Sequence, residues 1–429
     1  MTQLALDTLR PGDPGYDAAS RTFFATGAPA SIVRPRDPDE VAAALAHAFV
    51  QEHPVSIRSG GHGVLGHGTN TGGVVVDLSH LAGVDVLDHG RRLVRVGSGA
   101  TWGDVSAALD PYGWAITAGD TTGVGVGGLT LGGGFGWLLR RHGLAIDNLV
   151  AARVVTADGR LLTASPDEHP ELFWALRGAG GNFGVVVDFE FVAQPVPTVH
   201  FGTVAYEPED VGEVLTRWRD AMRAAPDELT STLLLTPAGP TVLLCYAGEP
   251  GTPEAQVDDV LEPLLTLGRV TRATIAERRY GEILEAAAHP PGLRMTARNV
   301  LVPSLDAPVL AAVARLHATP GPRMIAVRSL GGAFGRVAAD ATAFPHRDAE
   351  AMIVCGAMLA PGVDADAVLA PWMDVAAHGT GTYLNFQGSA TPADLAAAYP
   401  AATLARLAAV KRTYDPQNRF RLNHNVPPA

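Results

Sequence analysis

Residues 58–63 read Arg58-Ser59-Gly60-Gly61-His62-Gly63, an imidazole set among glycines at the end of the short strand-like run Val55-Ser56-Ile57. Glycine has no Cβ, so backbone built from it can approach a ligand closely. A histidine at the point of closest approach is either a hydrogen-bonded turn residue or a group that works on the ligand. Two further glycine segments lie outward from it. Residues 122–143, TGVGVGGLTLGGGFGWLLRRHG, are the densest, and 178–186, GAGGNFGVV, run into another strand. Bare N–H groups in such loops form concavities that suit an anion such as a pyrophosphate. Tight turns alone would explain one loop. Three in one stretch of chain point to a long ligand with backbone laid along it.

A narrower reading is available in the same segment. Gly123, Gly125 and Gly128 satisfy G-x-G-x-x-G, with Asp147 further on, the outline of a dinucleotide fingerprint. That fingerprint requires an apolar strand directly before its first glycine, and the residues there are AITAGDTT (115–122). The glycines also continue through Gly132, Gly133, Gly134 and Gly136. A nicotinamide-dependent reductase is therefore a rival reading, disfavoured by context.

Composition narrows the class. At 429 residues the chain exceeds one ordinary core, so two domains are expected. With 44 acidic and 32 basic side chains, a formal charge of −12, it lacks the basic excess that nucleic-acid partners demand. Cys245 and Cys355 offer neither a disulfide framework nor a zinc site, and no metal is expected. No secretory signal and no apolar run of membrane-spanning length is visible, so the expectation is a cytoplasmic protein that is no membrane partner.

Local patterns give an α+β chain. PDEVAAALAHAFVQE (38–52) reads as a helix with acidic residues in its first turn. GGVVVDLS (72–79) and RLVRVGSGA (92–100) read as strands. TWGDVSAALDPYG (101–113) opens on Thr101 with Asp104 three residues later, a near capping box. Asp158-Gly159 joins two strand-like runs as a hairpin. From about 197 to 380, runs such as STLLLT (231–236) alternate with Ala-rich helices, which predicts an antiparallel sheet with helices. Near the end come the strand-like TYLNFQ, an Ala-rich helix around 391–412, and YDPQNRFRLNHNVPP.

RSGGHG, GGVVVDLS, the glycine segment as far as LAIDNL, and GGNFGVV resemble, in that order, the FAD-binding half of flavin oxidases related to vanillyl-alcohol oxidase. YLNF…YDPQNRFRLNHNVPP resembles the C-terminal element of the berberine-bridge-enzyme branch, and GGAFGRV…TAFPHR (331–347) is a weaker match. The resemblance implies an FAD-binding domain over 1–196, a substrate domain over 197–380 whose antiparallel sheet roofs the flavin ring, and a segment over 381–429 that returns to the FAD domain. The type is closest to the single-link 6-hydroxynicotine oxidase-like members.

By resemblance, His62 is the residue bonded through its ring to the 8-methyl carbon of the flavin, with Arg58, Ser59, Gly60 and Gly61 beside it. Many relatives carry a second link from a cysteine in G-x-C-x-x-V-G-x-G-G. Here Gly119, Asp120, Thr121, Thr122, Gly123, Val124, Gly125, Val126, Gly127 and Gly128 put threonine in the cysteine's place, so attachment through His62 only is expected. The resemblance also assigns Leu131, Gly132, Gly133, Gly134, Gly181, Gly184 and Val186 to the pyrophosphate and flavin edge. Asn148 and Asn182 would orient backbone, Asn423 or Asn425 would approach from the tail, and Val124 would lie on the oxygen-facing side.

The family's Y-x-N-Y becomes Tyr383-Leu384-Asn385-Phe386, so the phenol that commonly takes a hydroxyl proton is missing. In a strand Phe386 would face the substrate and Tyr383 and Asn385 would share the other face. An alcohol oxidase needs a base near the carbinol, whereas a neutral amine loses hydride with help from its own lone pair. The expectation is thus an FAD-dependent oxidase that moves hydride from a small amine or natural-product intermediate to flavin N5 and reduces oxygen to hydrogen peroxide. Alternatives are a sugar or alcohol oxidase with a base from the substrate domain (Tyr280, His289, Arg298 or Arg328) and a non-catalytic flavin-binding protein. Its partners would be a small substrate and oxygen, and it would be a monomer or homodimer.

Overall fold

In the computed structural model, which describes residues 6–208, 211–287 and 293–429, strands in the first half of the chain form a four-stranded sheet, a five-stranded sheet and a small two-stranded one of Trp114–Ala115 and Gln194–Pro195. The four-stranded sheet runs Thr8–Leu9, Ser31–Val33, Val74–Asp77, Val55–Arg58, its last three strands parallel. Val74-Val75-Val76 are buried on both faces, which is what a central parallel strand requires. The helix Pro38–Val50 covers one face; Asp37 caps it by accepting from Glu40 N–H. The five-stranded sheet is antiparallel, in the order Val84–Asp88, Leu93–Gly97, Val185–Val192, Leu149–Val155, Leu161–Ala164. Its last hairpin turns at Gly159, whose φ of 80° is a conformation that favours glycine.

The second half builds one seven-stranded antiparallel sheet: Val270–Arg279, Thr198–Tyr206, Gly239–Tyr246, Leu229–Thr236, Arg323–Ser329, Ala351–Leu359, Arg294–Val302. The helices Val211–Ala224, Glu254–Leu265 and Ala307–Ala318 pack on one face, where Trp218, Leu233, Val313, Ile325 and Val327 share a core. Strand period sends Arg328 to the opposite face, towards the first half. That junction is closed by buried ion pairing. Arg347 donates from both terminal nitrogens to Asp147 at 2.8 Å, with side-chain exposures of 2% and 10%. Asp147 is thereby committed to Arg347 and to the Leu144 amide, which removes the ribose role that the dinucleotide reading gave it.

Two local expectations are corrected. The Ala-rich stretch is two helices, Pro392–Ala398 and Ala401–Tyr414, because Pro400 cannot continue the first. TYLNFQ is no strand: Leu384–Phe386 form a 3₁₀ turn. Asn299 from the neighbouring strand donates to the Tyr383 carbonyl and accepts from its amide, taking the place of a strand partner. The last residues then run back over the first half, where Ala398, Leu407, Val410 and Val426 join the core under the five-stranded sheet.

Candidate active site

A cavity of about 330 Å³ lies between the glycine loops, the returning tail and the seven-stranded sheet. Two side chains and one close backbone contact hold its first wall. Arg58, buried at the end of Val55–Arg58, donates to Asp77 at 2.8 Å, to the Ala19 carbonyl at 2.6 Å and to that of Arg21. Its donors thus fix the 58–63 loop rather than reach outward. Ser59 donates to the Ser98 carbonyl at 2.6 Å and accepts from the Gly127 amide. Gly60 meets Gly125 so closely that a Cβ on either would overlap the other's backbone nitrogen. These contacts lock the first glycine loop onto the short helix Val126–Gly132.

His62 sits at this junction, half-buried. Its ring stacks on Phe23 at 4.3 Å between centroids with planes 18° apart. On one side Nε2 faces Gly123, where a Cβ would stand 3.0 Å from it. Burial lowers the imidazole pKa, so the ring is neutral and nucleophilic at neutral pH.

The second wall comes from 178–186 and the tail. Asn182 donates to the carbonyls of Ala179 and His424 and accepts from the Val426 amide, which ties the tail to the loop. Lys411, fully buried, donates to the Asn182 and Phe420 carbonyls and to Asp415. Asn423 donates to the Gly181 carbonyl at 3.1 Å, while its Oδ1 is buried and unpartnered.

The third wall is the 383–386 turn. Tyr383 is buried among Phe135, Phe344 and Phe386. Its hydroxyl accepts from the Gly134 amide and from Asn385 Nδ2, and burial pushes its pKa up to about 12. Asn385 also donates to the Gly128 carbonyl, so the turn is pinned to the glycine helix. Tyr383, Leu384, Asn385 and Phe386 all line the cavity, which a 3₁₀ turn allows and a strand would not.

Most residues expected from sequence converge here. Arg58, Ser59, Gly60, Gly61, His62, Gly119, Val124, Gly127, Gly128, Leu131, Gly132, Gly181, Asn182, Gly184, Val186, Tyr383, Asn385, Phe386 and Asn423 line the cavity. Thr121, Gly123, Gly133, Gly134, Asn148 and Asn425 are not in its wall. Thr121 turns its hydroxyl to Asp120, and Gly123 backs the His62 ring. Gly133 and Gly134 carry positive φ at the helix end, and Asn148 is hydrogen-bonded to the His142 and Leu144 carbonyls. Asn425 Oδ1 is buried and without a partner.

Of the candidate bases in the second half, only Arg328 lines the cavity among the described residues. Tyr280 belongs to a separate core cluster, Arg298 donates to the Ala297 carbonyl and to Asp366, and His289 lies outside the described residues. Sequence reading missed Asp120, His67 and His424, which also line the cavity. Asp120 pairs with Arg328 at 2.9 Å across 208 positions of chain. Burial lowers His424 to about 4, with His67 nearby adding to the shift.

The walls fit a long, partly anionic, hydroxyl-bearing group. Gly63, Gly128, Gly180 and Gly181 line the cavity and would meet nothing if each carried a Cβ. Orphaned acceptors at Asn423 and Gln387 await donors. Among the described residues no cluster suited to a metal occurs, and no helix is long and apolar enough to cross a membrane.

Known proteins agree with that fit. Residues 29–165 match the family of FAD binding domains, and residues 382–427 match the berberine and berberine-like family. (R)-6-hydroxynicotine oxidase of Paenarthrobacter nicotinovorans is 32% identical over 98% of this chain and 96% of its own. An uncharacterised FAD-linked oxidoreductase of Bacillus subtilis is 30% identical over 100% and 98%. Among solved structures, 6-hydroxy-D-nicotine oxidase from Arthrobacter nicotinovorans superposes with a TM-score of 0.89 at 28% identity, covering 100% of this chain and 99% of its own. Xylooligosaccharide oxidase from Myceliophthora thermophila gives 0.88 at 26%, over 99% and 97%. With a cavity built for the cofactor and both family segments in place, the chain belongs to the berberine-bridge-like branch of the vanillyl-alcohol oxidase family and is an FAD-dependent oxidoreductase.

Proposed function

We propose that this protein is an oxidase of a small amine and that it holds FAD covalently through His62 alone. When bound, FAD supplies the hydride acceptor at N5 and passes the electrons to oxygen, giving hydrogen peroxide. The residues around it bind, orient and exclude water.

The observation that carries the amine reading is the lack of a proton acceptor at the Tyr383–Phe386 wall. Phe386 presents a ring. Tyr383, pushed up to about 12, stays protonated. Asp120 is held below the usual carboxylate range by the Arg328 guanidinium and the Thr121 hydroxyl, although burial alone would raise it, and so is a weak base. Alkoxide character at a carbinol would find no ready base in this turn to take its proton, and the imidazoles His67 and His424 elsewhere in the wall are made weak bases by burial. A neutral amine needs no such group, because its lone pair stabilises the cationic product as hydride leaves.

Attachment rests on His62 being neutral, ring-stacked and in the cavity wall, while Thr121, whose hydroxyl cannot form a thioether, is outside that wall and bonded to Asp120. The test begins with the purified protein denatured on a gel. The band should fluoresce as flavin, and His62→Ala should abolish that fluorescence; a fluorescent His62→Ala band would move the link elsewhere. Under anaerobic conditions, amines should bleach the flavin of the native enzyme. Bleaching by simple sugars and not by amines would overturn the substrate class.

A further inference from the structure

We propose that Arg328 is a substrate-recognition residue that binds a carboxylate, so that the amine oxidised here carries an acid group. The assignment of that acid as substrate rests on the oxidase function proposed above; its binding does not.

Arg328 is the one residue of the seven-stranded sheet that reaches the cavity among the described residues. Its strand neighbours Ile325 and Val327 point into the helix-covered core, so the alternation of the strand aims the guanidinium at the cavity. The position is doubly braced. The strand is paired on both sides, with Thr232 and Met352 opposite Arg328. The guanidinium carbon lies 5.3 Å from the centre of the Phe386 ring, a cation–π contact that the ring in place of the family tyrosine preserves.

Asp120 is fixed as firmly. Its carbonyl accepts from the Glu285 amide at 2.9 Å, and the Thr122 amide donates back to Glu285. The pair is therefore built by backbone on both sides rather than by two mobile surface chains.

The guanidinium is under-used. Among the described residues its one hydrogen bond runs from Nη2 to Asp120, and Nε is buried without an acceptor. Its side chain is only 22% exposed. A planar fork with five donors is matched geometrically to carboxylate, and burial strengthens the match by removing competing water. The other arginine in the wall, Arg58, has its donors on Ala19, Arg21 and Asp77. Among the described residues of the cavity wall, this incompletely paired guanidinium gives a local preference for acids.

The proposal is tested by calorimetric titration of the purified holoprotein with benzoate against benzamide and phenylacetate against phenylacetamide. Each acid should bind at least about tenfold more tightly than its amide, the yield of a charge-assisted hydrogen bond. Arg328→Met should erase the difference with flavin content and gel fluorescence unchanged. Arg328→Lys, which keeps the charge beside Asp120 but loses the fork, should fall between. Equal binding of acids and amides by the native protein would overturn the proposal, as would a preference that survives in Arg328→Met. Loss of flavin from both variants would assign the guanidinium to the cofactor and overturn it too. A protein without flavin would defeat the oxidase reading, and the calorimetry would still decide on Arg328.

Discussion

Gly60 and Gly128 line the same cavity, and a side chain would do opposite things at the two. At Gly60 a Cβ overlaps the Gly125 backbone, which cannot yield without separating the loop from the helix. At Gly128 it meets nothing and projects into space the cofactor needs. Gly60→Ala should destabilise the fold by about 1–3 kcal/mol or more, as overpacking does. Gly128→Val should leave the melting temperature of the flavin-free protein near that of the flavin-free parent yet abolish flavin binding. Thermal unfolding and flavin absorbance check both; a Gly128→Val protein that retains full flavin would refute the cradle. The sequence shows the two glycines as equivalents. Backbone approach and ligand approach both select the same residue, so the chemistry of His62 is legible from its neighbours while the task of each glycine is not. The Asp120–Arg328 pair is hidden for another reason: no local pattern joins residues on different sheets and loops.

Elements that close on themselves were the ones that could be read. The Thr101–Asp104 capping box and the hairpin at Asp158-Gly159 depend on contacts a few residues apart, and both stand as expected. The 383–386 segment fails as a strand because its amide and carbonyl are claimed by a side chain, Asn299, 84 positions away. The helix Ala401–Tyr414 shows what such distant claims are worth. Lys411 is 0% exposed and serves Asp415 and two carbonyls, so removing its charge strands a buried carboxylate. Lys411→Met should lower stability by about 3–5 kcal/mol, and adding Asp415→Asn should restore part of it. Denaturant titration of the single and double variants measures this; an additive double loss would show that the pair is not coupled. The 178–184 loop should loosen with the single variant, since Lys411 holds the Asn182 carbonyl.

At the scale of the whole molecule, acid should unfold the protein through two half-buried histidines. Burial lowers His142 and His424 to about 4, against about 6.5 in an unfolded chain. Between those values the unfolded state binds protons that the folded state refuses. Stability is therefore complete above about pH 6.5 and falls as pH drops towards 4, by up to about 1.4 kcal/mol per pH unit for each histidine. Melting curves from pH 7 to 4 should show the decline, and His142→Gln should make it shallower; a slope unchanged by that variant would remove His142 as a cause. The Arg347–Asp147 ion pair is buried where the two halves meet. The returning tail carries a consequence of its own. The cavity is walled by residues from Val55 to His424, and Asn182 is anchored by Lys411 and Val426. During synthesis the glycine loops leave the ribosome long before the strand of chain that shuts them in. The cofactor compartment is thus closed only after the segment through His424 has emerged and docked, which ties the binding of FAD to docking of that segment.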